Sequence, residues 1–144
     1  MKTFKQFFYE KAILGLIENI DIEGIGVVSA KLDTGNGAYN VLHGEDMQTD
    51  GNILRFTTIN GFNVEKPIDD HITINIGAGE TEDRPVCRFT CKVGGKIFED
   101  VPFSIGNRSS NMHKVLIGKN FIQKQLDALI DVSLNNVADN NIEV

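Results

Sequence analysis

Apolar residues along this chain come in short runs rich in isoleucine, valine and phenylalanine, broken by glycine-bearing turns. That is the texture of half-buried strands joined by hairpins. "AILGLIENI" (12–20) and "IGVVSAKL" (25–32) flank "DIEG", a hairpin in outline. "NILRFTTI" and "FNVEKPI" flank Asn60-Gly61, and "RPVCRFTCKV" (84–93) and "KIFEDVPFSI" (96–105) flank Gly94-Gly95. Both glycine pairs are two-residue hairpin signals, because such turns need positive φ. Between them, "DHITINI" (70–76) leads into a loose, glycine-bearing loop, "GAGETED" (77–83).

Two stretches depart from this period. Residues 3–12 put Phe4, Phe7 and Phe8 on one face of a short amphipathic helix that Thr3 can cap with Gln6 three positions on. Such a helix packs on its own domain, or it serves as a docking or removable leader segment. "VLIGKNFIQKQLDALIDV" (115–132) starts as a buried strand and then predicts a helix over 119–130, with Phe121, Ile122, Leu126, Leu129 and Ile130 on its apolar side. The closing "SLNNVADNNIEV" is asparagine-rich and unpatterned. The expected organisation is an amphipathic segment at 1–12, one all-β barrel or sandwich domain over 13–132 and a frayed tail at 133–144.

Length agrees with this, since 144 residues suit a single domain with its own core. Charge narrows the partners. A formal net charge of -6 with no cluster of Lys and Arg argues against nucleic acid and anionic membranes. No apolar run approaches the roughly 20 residues that span a bilayer, and "MKTFKQFFYEKA" carries no signal-peptide core. Cys87 and Cys91 lie four apart in a strand-like run, so they would sit roughly 13 Å apart on a strand, too far to bridge. They read as reduced core thiols of a cytoplasmic protein.

The candidate chemistry sits in "AKLDTGNGA" (30–38), where an apolar strand delivers Asp33-Thr34-Gly35. Asp and Gly are ordinary turn residues, but solvated turns usually begin from polar sequence. A strand-borne aspartate followed by a small hydroxyl and a glycine can hold its carboxylate in a hydrogen-bonded cradle. A second glycine-centred element, "VLIGKN" (115–120), breaks from strand into helix at once.

Together these stretches resemble the retropepsin-like aspartic proteases, with Asp33-Thr34-Gly35 as the catalytic tripeptide and Ile117, Gly118 and Lys119 in the later segment that supports it. "AKLDTG", Leu42-His43, "RPVC", "VGGKIF" and "GNRSSNMHKVLIGKNFI" look, more narrowly, like the group called ATP-dependent zinc proteases found beside ATP-grasp glutamate ligases. The resemblance implies an acid-protease barrel and a peptide or protein substrate. It also implies a homodimer, because two carboxylates must meet and the chain carries one Asp-Thr-Gly. No cofactor is implied by that chemistry. Two carboxylates held a hydrogen bond apart share one proton, so one can deprotonate a water while the other polarises the scissile carbonyl. In the same plan 71–89 would be a flap hairpin, with Gly77, Ala78 and Gly79 at its tip as substrate-binding positions, joined by Asn36 beside the carboxylate; on the residues alone, 77–83 also reads as an ordinary mobile loop. Asn36 stands where the family carries a small apolar residue, close enough to alter the carboxylate or occupy the water site. Asp50 and Asp69-Asp70 lack a preceding apolar strand and are poor second aspartates. Residues 45–68 form an inserted hairpin.

Two rival readings stand beside the peptidase. One is a module of the same fold that binds peptides without cleaving them. The other is a metal-dependent hydrolase, for which His43 and His113 lie closest to the motifs; the sequence has no HExxH, no Cys/His cluster and no GxxxxGK[ST], so no metal ligand is assigned.

Overall fold

The computed structural model describes residues 11–138. The helix expected over 3–12 lies outside them, save that Ala12 already opens the first strand. The strands are β1 (Ala12–Ile22), β2 (Gly26–Asp33), β3 (Asn40–His43), β4 (Glu45–Asp50), β5 (Ile53–Thr57) and β6 (Asn63–Pro67). They continue with β7 (Asp70–Gly77), β8 (Glu80–Val93), β9 (Lys96–Gly106), β10 (Val115–Gly118) and β11 (Ala128–Asn135). Among the described residues a short helical element, α1 (Lys119–Phe121), runs on into a wide π-type turn over Ile122–Leu126.

The protein is all-β, as its alternation predicted. Eight strands form one mixed sheet in the order β11-β1-β2-β10-β3-β9-β8-β7, and β1 also pairs with β8 through Asp21↔Lys92 and Ile22↔Cys91. That pairing curls the sheet onto itself and encloses a core. Strands β4-β5-β6 form a second, three-stranded sheet, the insertion at 45–68. Its Leu54 and Phe56 point into the same core, and Lys66 lies 4.8 Å over the Phe89 ring.

Inward positions follow period two. Val28, Ala30 and Leu32 of β2 are buried while Val27 and Ser29 are exposed. Phe89 packs edge-to-face on Phe103 at 5.8 Å, and Phe98 on Phe121 at 5.2 Å, so the helical turn is anchored in the core by an aromatic pair. Among the described residues Glu18 is the one buried carboxylate, 2% exposed on the inward face of β1. It is satisfied by backbone donors, accepting N–H from Gly15 (2.7 Å), Ala138 (2.9 Å) and Val137 (3.2 Å).

Three local expectations change. The helix ends at Leu126 instead of 130, because Asp127 adopts φ 46° and the chain leaves as β11. Leu129 and Ile130 pair in parallel with Ile13 and Leu14; strand hydrogen bonds won over a helical spacing of apolar residues. The loop at 77–83 is a two-residue turn, with Ala78 at φ 51° and Gly79 at φ 76°, and Glu80 already opens β8. Ser133–Asn135, read as tail, belong to β11, and Ala138 is buried against Glu18.

Candidate active site

The position of β10 makes the site. It lies between β2, to which it is parallel, and β3, to which it is antiparallel, and the β2 register sets Ile117 beside Leu32 and Gly118 beside Asp33. Asp33 is therefore the last residue of a buried strand, with its polar loop, residues 34–39, starting at once. Gly35 N–H donates to Asp33 Oδ1 at 3.3 Å, and Asn36 N–H donates to Asp33 O at 3.1 Å. Asp33 is half-buried, while Thr34 and Gly35 are exposed.

Gly118 needs to be glycine because the loop lies against it. A Cβ there would come within 3.0 Å of Asn36 O and 3.3 Å of Ala38 O. Two bonds hold the approach. Lys119 N–H donates to Asn36 O at 2.8 Å, and Gly118 N–H donates to Asn40 Oδ1 at 2.7 Å. Asn40, 4% exposed, also donates through Nδ2 to Pro102 O at 3.0 Å, so one side chain ties β3, β9 and β10 together beneath the loop. The sequence reading passed over Asn40; its signal was a polar amide immediately before the buried run "VLH".

Asn36 spends both ends of its amide inside the loop. Its Oδ1 accepts from Ala38 N–H at 2.9 Å and its Nδ2 donates to Tyr39 O at 3.0 Å. It closes the turn as short amide side chains do. Of the expected site residues, Asp33, Thr34, Gly35 and Asn36 share one cluster with Ile117, Gly118 and Lys119. Gly77, Ala78 and Gly79 stand outside that cluster, exposed at the tip of the β7–β8 hairpin. Beside Thr34 a hollow of about 330 Å³ is lined by Lys11, Lys119, Gln123, Asp127 and Leu129. Lys11 and Asp127 pair there at 2.7 Å.

Two part-buried arginines, Arg84 and Arg108, are another feature not read from the sequence, and Arg108 lies within electrostatic range of Asp33. Arg84 of β8 has a side chain only 12% exposed, pairs with Glu82 at 3.1 Å and lies against the backbone of Gly106. Arg108, just beyond, donates through Nε to His113 O at 2.8 Å. Burial and the neighbouring Arg84 charge hold Arg108 below its ordinary value, and the Asp33 carboxylate acts in the opposite sense. The Arg108 guanidinium stays charged all the same, as arginine does in proteins.

The histidines do not converge. His43 Nδ1 accepts Arg108 N–H at 2.8 Å, so its Nε2 carries the hydrogen and faces Glu45 Oε1 at 2.9 Å. Hydrogen bonds from Ser109, first, and His43 hold the Glu45 carboxyl below its usual range. Ser109 Oγ reaches Glu45 rather than an imidazole nitrogen, so nothing here activates it as a nucleophile. His71 pairs with Asp83 at 3.3 Å. Among the described residues no group of three or more His, Cys, Asp or Glu is placed to hold a metal ion.

Cys87 and Cys91 are free and buried, with burial raising their thiols to about 11 and about 12. No helix among the described residues is long and apolar enough to cross a membrane.

A curled, mixed β sheet with an Asp-Thr-Gly turn leaving one strand and a hydrophobic-hydrophobic-glycine strand in register beside it defines a retropepsin-like domain. The chain belongs to the RimB-like family, whose model, described as retropepsin-like aspartic endopeptidase RimB, matches residues 13–141. That description names neither zinc nor ATP, so the narrower zinc-protease likeness is not supported by it. Among solved structures, the Legionella pneumophila protein Lpg0085, described as of unknown function, superposes with a TM-score of 0.71. It is 25% identical over 88% of this chain and 98% of its own. No curated protein matches.

Proposed function

We propose that this protein is an aspartic endopeptidase whose two catalytic carboxylates are the Asp33 residues of a symmetric homodimer. The observation that carries the reading is Asp33 itself. It stands at the end of a buried strand, is fixed in register against Gly118, and opens half-exposed onto the surface. A two-fold axis passing beside it would bring two copies of one loop face to face, which is how one Asp-Thr-Gly per chain can supply a pair.

In such a pair one carboxylate takes a proton from water as the water oxygen bonds to the scissile carbonyl carbon. The other, protonated, hydrogen-bonds the carbonyl oxygen and stabilises the charge that develops there. The tetrahedral product collapses when the amide nitrogen takes a proton from a carboxyl and the C–N bond breaks. No covalent enzyme intermediate forms. Substrate would lie extended beneath the β7–β8 hairpin, with Gly77, Ala78 and Gly79 offering backbone close to the peptide. Two buried thiols suit a reducing compartment such as the cytoplasm.

A zinc route finds no donor set among the described residues, where His43 and Glu45 are committed to each other and to Arg108 and Ser109. The test is Asp33→Asn, which keeps shape but removes the titratable proton and the base. Cleavage of an unstructured protein substrate should fall by several orders of magnitude, because the two carboxylates act as a unit. A chelator should leave wild-type turnover unchanged. Equal turnover by wild type and Asp33→Asn would overturn the assignment. A folded wild-type dimer inert on varied extended peptides from pH 4 to 8 would replace it with the binding-module reading.

A further inference from the structure

The loop that carries Asp33 is joined to the β7–β8 hairpin by one side-chain bond across 31 positions of sequence. Tyr39 Oη donates to Asp70 Oδ2 at 2.7 Å. Asp70 is the first residue of β7, the root of the hairpin, and its other oxygen accepts His71 N–H at 2.8 Å. The adjacent Asp69 is fixed separately, its Oδ2 accepting Arg88 Nε at 2.8 Å and its N–H donating to Val86 O at 2.8 Å. Arg88 in turn donates to Asp100 O at 2.9 Å. The hairpin root is thus a firm corner, clamped to β8 and β9 on one side and to Tyr39 on the other.

On the loop side, Tyr39 O accepts Asn36 Nδ2, and Asn36 O accepts Lys119 N–H. A continuous path of hydrogen bonds therefore runs from the support of Asp33 to the base of the hairpin. We propose that Tyr39 and Asp70 form a clasp, and that Tyr39 is a positioning residue setting how the β7–β8 hairpin sits relative to the Asp33 loop. The inference rests on reading the hairpin as the cover of a peptide cleft.

The pair is suited to such a role because it is exposed. A surface hydrogen bond to a carboxylate shifts an equilibrium only several-fold, so it can bias an opening hairpin without locking it. The bond joins a protonated Tyr39 to an ionised Asp70. Its acceptor role, with His71 N–H, holds Asp70 below the ordinary carboxylate range, and Tyr39 is pushed above the ordinary phenol value by the same bond.

The experiment compares Tyr39→Phe, Asp70→Ala and the double variant by amide hydrogen exchange, and then by peptide cleavage. Each single variant should speed exchange at 72–82 by roughly two- to five-fold, and the double variant should add nothing further. Asp70→Asn keeps an acceptor for the phenol and should lie closer to wild type than Asp70→Ala. Melting temperature should move little, while KM rises more than kcat falls. Unchanged exchange at 72–82, or additive effects in the double variant, would overturn the clasp. Absence of cleavage in the wild type would defeat the peptidase reading alone, since the exchange measurement still decides the clasp.

Discussion

Replacing Asn40 with leucine tests the support beneath Asp33. The two side chains are nearly the same size, so the change leaves no cavity and isolates the polar bonds. Asn40 is 4% exposed, accepts Gly118 N–H at 2.7 Å and donates to Pro102 O at 3.0 Å. Leucine satisfies neither group and brings no water to them. Each orphaned buried backbone group costs about 1–3 kcal/mol. Added apolar burial returns about 1 kcal/mol of that. The net expectation is a loss of roughly 1–5 kcal/mol. At about 3 °C per kcal/mol for a domain of this size, the melting temperature should fall by roughly 3–15 °C. Urea unfolding followed by circular dichroism should show a lower midpoint with an unchanged slope. Since Gly118 is paired with Asp33, exchange of the Gly118 and Lys119 amides should rise more than that of β5 or β6. A midpoint within error of wild type, or protection lost evenly over the chain, would refute the assignment of Asn40 as the local tie.

Gly118→Ala should perturb the same loop by crowding, with a Cβ 3.0 Å from Asn36 O, and cost about 1–3 kcal/mol of stability in a urea titration. Glu18→Gln turns an amide N–H₂ toward backbone donors that a carboxylate now accepts, so it should lose about 2 kcal/mol or more and expose the Val137–Ala138 segment to limited proteolysis. Cys87 and Cys91 should resist a thiol reagent at pH 8 in the folded protein and react at once in denaturant, because burial raises them to about 11 and about 12. The same shifts set a sign for alkaline stability. The unfolded thiols lose protons near pH 9 while the folded ones keep them, so stability should decline from about pH 9 to pH 12, and Cys87→Ala/Cys91→Ala should flatten that decline in pH-resolved unfolding.

Strand existence was legible because burial imposes period two, and the hairpins because Asn60-Gly61 and Gly94-Gly95 need positive φ. The Asp33 and Gly118 segments were legible too, as strands ending in abrupt polarity. What stayed hidden was decided by tertiary pairing. Leu129 and Ile130 satisfy a helical spacing as well as a strand, and only Ile13 and Leu14 lying free alongside made them β11. Glu80-Thr81-Glu82-Asp83 shows no apolar alternation because this part of β8 pairs only with β7 at the sheet edge and faces solvent, so a strand looked like a loop. Asn40 acts through partners 62 and 78 positions distant, and Arg84 and Arg108 stand out by their burial, which no local spacing records. Glu18 was readable in principle, as a charge on the inward parity of β1 that demands donors.

The central claim is that two copies of Asp33 act together, and subunit mixing tests it most directly. Wild-type and Asp33→Asn protein would be combined at fixed total concentration, above the dimer dissociation constant, and left to exchange subunits before cleavage is measured. If each active unit needs an Asp33 from both chains, activity should follow the square of the wild-type fraction, about a quarter at an equal mixture. Activity proportional to the wild-type fraction, one half at that point, would mean that each chain works alone and would contradict the account.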